Sequence, residues 1–110
     1  MKRSAALHLL PLPAEELLRV LGERIYLARR ARKLTQPDLA AQVGVGLSTL
    51  RLMETGAPTV QIGFYMSTLW ALDLLDELKE GVQTLGRGSA TGVLLENEAR
   101  LPSQARQGLK

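Results

Sequence analysis

The run "TQPDLAAQVGVGLSTLRLMETG", Thr35 to Gly56, constrains the fold more than any other stretch. Two short apolar-periodic segments flank Gly44, and glycine takes the left-handed conformation at no steric cost. Thr35 is a good N-cap, Pro37 fits a first helical turn, and Asp38 stands three residues after the cap. The spacing predicts a helix over about 36–43 that stops at Gly44, then a second from about Leu47 to Thr55 that ends at Gly56. Two such helices cross steeply only where the side chains at their closest approach are small, which Ala40 supplies. Their facing positions must be apolar, and Leu39, Val43, Val45, Leu50 and Met53 comply. A plain helical hairpin shares part of this pattern, but the turn chemistry favours a helix-turn-helix.

The flanking sequence reads as further helices. Pro13 suits a first turn, and Glu15 and Glu16 suit its positive end. Leu17, Leu18, Leu21, Ile25 and Ala28 then recur at three- and four-residue spacing, one apolar stripe on a long helix. Gly22 costs that helix about 1 kcal/mol relative to alanine and marks a bend or a close approach. A fourth helix is predicted over about 61–72, with Ile62, Tyr65, Leu69 and Leu72 on one face. A fifth runs from about Leu74 through Leu85. "GRGSATG" (86–92) is a break. These signals predict an all-α fold in three parts: an N-terminal arm (1–13), a five-helix domain (14–85) and a flexible or partner-binding tail (86–110).

Charge is unevenly placed. Residues 1–33 hold eight basic and three acidic side chains, whereas 34–99 hold three basic and eight acidic ones. Arg29, Arg30, Arg32 and Lys33 gather where cations favour a helix C-terminus. The same cluster suits phosphate contact, and both readings stand at this stage.

Catalysis finds no foothold. There is no cysteine and one histidine, His8, so disulfide, thiolate-metal and cysteine chemistry are absent. No metal spacing and no phosphate-binding glycine loop occurs. Asp73, Asp76, Glu77 and Glu80 read as a solvated helix face. No enzymatic activity, cofactor or metal is expected. No apolar run approaches the roughly 18 residues that span a bilayer. Pro11 and Pro13 interrupt the short apolar patch near the start, so the sequence reads as cytoplasmic, with nucleoid association if it binds DNA.

The stretch "LGERIYLARRARKLTQPDLAAQVGVGLSTLRLMETG" resembles the Cro/phage-repressor (XRE-type) helix-turn-helix family over roughly residues 21–80. The resemblance implies a five-helix lambda-repressor-like domain that binds double-stranded operator DNA as a homodimer, with its third helix in the major groove. It implies a phosphate contact from Gln36, and places Leu47, Ser48 and Leu52 on the groove side of the third helix. It also implies a bridge between Arg29 and Glu54. Pairing is expected there on physical grounds too, because an unpaired buried charge is costly. More narrowly, "VQIGFYMSTLWALDLLDEL" and "RLPSQAR" are similar to HipB-like antitoxins, which repress their own operon and hold a HipA-like kinase-fold toxin. Asp73 departs from the glycine usual at that position.

Base reading normally uses Arg, Asn or Gln. Here Ser48 can bond several bases, Thr49 lies near the DNA backbone, and Arg51 is the cation of the third helix, able to take guanine or a phosphate. Arg30 is a candidate for the phosphates. Leu47 and Leu52 can touch thymine methyl groups or pack on another protein. A toxin-neutralising interaction module with weak DNA binding is the alternative reading.

Overall fold

The computed structural model describes residues 10–88 and 96–98, and all regular structure among them is helical. Helix α1 spans Leu12–Ala31, α2 Gln36–Val43, α3 Leu47–Glu54, α4 Ile62–Ala71 and α5 Leu75–Gln83; residues 96–98 are also helical. The chain divides into two compact units, with the boundary after Leu75. Helices α1 to α4 belong to the first unit. The boundary expected from sequence at residue 85 lies at the far end of α5, a helix with no buried residue of its own.

In the first unit α1 packs on α3, and α2 packs on both α3 and α4. The core consists of Ile25 from α1, Leu39 and Ala40 from α2, Leu50 and Met53 from α3, Tyr65 and Leu69 from α4, and Leu72 just after it. Each large apolar side chain in that set contributes about 1.5–3 kcal/mol of burial. Thr68 is also fully buried. Its hydroxyl donates to the Phe64 carbonyl at 2.8 Å, one turn back, so no polar atom is stranded. The Tyr65 hydroxyl donates to the Ala57 carbonyl at 2.6 Å and ties α4 to the preceding loop. Burial raises the pKa of that phenol.

Two expected core positions are exposed. Leu17 is 70 % and Ile62 75 % exposed. Leu17 stands to one side of the buried stripe of its helix, and Ile62 is the first residue of α4. On α1 the packed stripe runs through Leu18, Leu21, Gly22, Ile25 and Arg29, and Gly22 takes the place that a leucine would overfill. Gly22 marks a close approach: a Cβ there would lie 2.5 Å from both Gly56 N and Met53 O. Gly56, with φ +75°, meets the backbone of Leu18 and Arg19 just as closely.

Among the described residues no helix is long and apolar enough to cross a membrane, and no group of acidic or imidazole side chains gathers to hold a metal.

Candidate nucleic-acid interface

The surface formed by the end of α1, the start of α2 and the outer face of α3 is built on local sequence chemistry. Helix α1 closes with Lys33 at φ 58°, the left-handed position after the C-cap. The Lys33 N–H donates to the Arg30 carbonyl at 2.9 Å, and the Leu34 N–H to the Arg29 carbonyl at 3.1 Å, the paired bonds of a Schellman stop. Glycine is usual at such a position; here a lysine holds it and keeps a cation at the corner.

Two residues later α2 opens with a complete capping box. The Asp38 N–H donates to Thr35 Oγ1 at 3.1 Å, and the Thr35 N–H donates to Asp38 Oδ2 at 3.0 Å. Those bonds from Thr35 hold the Asp38 carboxyl below its ordinary pKa. Gly44, at φ 84°, ends α2 in the left-handed conformation expected of it. Gly46 then caps α3 without a side-chain bond.

The basic cluster at residues 29–33 splits into separate roles. Arg29 is buried, and its guanidinium donates three ways: Nε to Glu54 Oε2 at 2.5 Å, Nη2 to Glu54 Oε1 at 3.1 Å, and Nη1 to the Leu34 carbonyl at 2.8 Å. Both partners of this pair are more than nine-tenths buried, so the implied bridge is present and internal. It clamps α1 against α3. Arg32 pairs across the surface with Asp73 at 2.8 Å. Arg30 is exposed; its Nη1 donates to the Tyr26 hydroxyl at 2.9 Å, and its guanidinium sits 5.5 Å from that ring's centroid. Arg30 and Lys33, with Leu34, Thr35, Gln36 and Pro37, line an open cleft over the start of α2. That cleft carries two exposed cations, which suit an anion.

Helix α3 presents Ser48, Arg51 and Leu52 outward, with Leu47 and Thr49 half-buried beside them, while Leu50 and Met53 face the core. Three of the five candidate residues of this helix thus lie on its outer side, with Leu47 and Thr49 at the flanks. Gln36 joins them through its side chain. Its Nε2 donates to Glu54 Oε1 at 2.9 Å, and its Oε1 accepts from Arg51 Nε at 3.3 Å. Spacing within one helix identified the outer face of α3. It could not find this cross-helix link, which joins residues 15 and 18 positions apart in sequence. Lys33 was visible only as one charge in a cluster, and its left-handed backbone carries no signature in a lysine.

Asp73 also takes φ 58° and ends α4. Aspartate is among the few side chains that tolerate this region. Comparison with known proteins brings no match among family models, curated proteins or solved structures.

Proposed function

We propose that this protein is a sequence-specific DNA-binding transcriptional regulator, with α2 and α3 as a helix-turn-helix in a lambda-repressor-like domain. The observation that carries the reading is a juxtaposition. Gln36, which lines the Arg30–Lys33 cleft at the start of α2, accepts a hydrogen bond from Arg51 of α3, beside the outward Ser48 and Leu52. Two exposed cations suit a phosphate backbone, and polar and methyl-complementary side chains on an exposed helix face suit base edges. In this account Arg30 and Lys33 anchor the duplex. Ser48 and Arg51 read bases, Leu47 and Leu52 touch thymine methyls, and Thr49 approaches the sugar-phosphate chain.

The protein would act as a homodimer on a palindromic operator, with half-sites about one duplex turn apart. The narrower resemblance extends this to repression of its own operon and capture of a HipA-like kinase-fold toxin. A mobility-shift assay with the DNA upstream of its own gene tests the reading. A retarded band that survives competitor DNA supports it; no shift at low salt overturns it.

A protein-interaction role has its own support. On α4, Ile62 and Trp70 are 75 % and 68 % exposed, and Met66 lies between them at four-residue spacing. Such an apolar stripe suits a protein partner. Co-purification of the neighbouring gene's product without any DNA shift would favour this second reading.

A further inference from the structure

A hydrogen-bonded chain runs from the buried interior to the one cation on the outer face of α3. Arg29 donates to both oxygens of Glu54, and Glu54 Oε1 also accepts from Gln36 Nε2. Gln36 Oε1 in turn accepts from Arg51 Nε. The direction of the chain is forced by chemistry. A carboxylate already paired with a guanidinium only accepts, so Gln36 must turn its NH₂ toward Glu54. The amide oxygen then points the other way, toward Arg51, which only donates. The Arg29 and Glu54 side chains are more than nine-tenths buried, and the outer Gln36–Arg51 bond is exposed, at 3.3 Å.

We infer that Gln36 is a positioning residue that holds Arg51 to read guanine, rather than an independent phosphate contact of its side chain. The inference rests on the DNA-binding reading above. With Nε engaged, the four remaining donors of Arg51 lie on Nη1 and Nη2, the end of the guanidinium fork. That end matches the O6 and N7 acceptors of guanine in the major groove. An exposed arginine normally samples many rotamers; one already tethered loses less freedom on binding and discriminates better. The side-chain amide of Gln36 has its nitrogen on Glu54 and its oxygen on a cation. Those two bonds leave one N–H of the amide for a phosphate.

The test is a double-mutant cycle on the full chain. A duplex is selected from a randomised pool by the wild-type protein, and preference for it over the same duplex with single guanines replaced is measured. Gln36→Met, which keeps length and helical propensity, should lower that preference by roughly threefold or more at one guanine position. In an Arg51→Ala background the same change should have no further effect. Equal losses in both backgrounds would show an independent contact and overturn the inference while leaving the DNA reading intact. Failure of the wild type to select any duplex would overturn the DNA reading and this inference with it. The free protein gives a second readout: the Arg51 Nε–H resonance should be protected from exchange in the wild type and lose that protection in Gln36→Met. Unchanged protection would contradict the tether, and the resonance of Arg29 serves as the internal control for folding.

Discussion

Gly22 of α1 and Gly56 at the end of α3 touch backbone to backbone, so closely that a Cβ on Gly22 would sit 2.5 Å from Gly56 N. This contact sets how near α1 comes to α3, and so where the basic end of α1 lies relative to the outer face. Alanine at 22 would improve intrinsic helix propensity by about 1 kcal/mol, but the clash is with backbone that cannot step aside. Gly22→Ala is expected to lose about 2 kcal/mol or more by urea denaturation. Gly63→Ala, where added bulk meets nothing within 4 Å, should be neutral or gain up to about 1 kcal/mol.

The buried Arg29–Glu54 pair yields a non-additive prediction. Removing one partner strands a desolvated charge, a loss of about 3–5 kcal/mol, whereas replacing both with apolar residues of similar size removes the stranded charge. Arg29→Met and Glu54→Leu singly should therefore each destabilise more than the double variant does. Thermal melts of the four proteins check this; simple additivity would show that the two side chains act apart.

Lys33 separates stability from binding. It occupies the left-handed stop of α1 at φ 58°, where a non-glycine residue is strained by about 1–2 kcal/mol. Lys33→Gly should raise the stability, by up to about 1 kcal/mol after the extra freedom of unfolded glycine, and with it the melting temperature. The same substitution should weaken DNA binding at low salt, because it removes a cation from the cleft. A variant that both melts higher and binds as well would remove Lys33 from the interface.

The capping box gives the pH dependence. Thr35 holds the Asp38 carboxyl below its ordinary pKa, so the folded state favours the ionised form. That contribution is fully present above the unfolded carboxylate range near pH 4 and is lost as pH falls through the lower folded value. Asp38→Asn should therefore melt less stably than the wild type at neutral pH, and the gap should narrow as the solution is acidified below about pH 4. A gap that stayed constant to pH 2 would show that the carboxylate itself contributes nothing.

Much of the frame is legible in the sequence because local chemistry decides it. Thr35 with Asp38, and glycine at 44, mark the ends of α2 whatever surrounds them, and Leu39, Leu50 and Met53 are buried as their spacing requires. Legibility fails where an element has more apolar residues than one face can bury. Leu17 and Ile62 look like core positions yet are exposed, while the true contact line on α1 passes through Gly22 and the charged Arg29. Periodicity scores hydrophobicity, and neither a glycine contact nor a buried ion pair is hydrophobic. The candidate site divides in the same way. The outer face of α3 follows from helical spacing, but the sorting of four neighbouring cations into buried, paired and open ones depends on Glu54 and Asp73, far along the chain.

The central claim is that the Arg30–Lys33 cleft and the outer face of α3 bind duplex DNA, and the salt dependence of binding tests it most directly. Anisotropy titrations of a labelled, selected duplex against the full chain, from about 50 to 200 mM salt, give the slope of log affinity against log salt. The account predicts a steep negative slope that Arg30→Ala makes shallower by about 1, with sequence preference unchanged. Absence of binding at 50 mM salt, or a slope indistinguishable from zero, would contradict it.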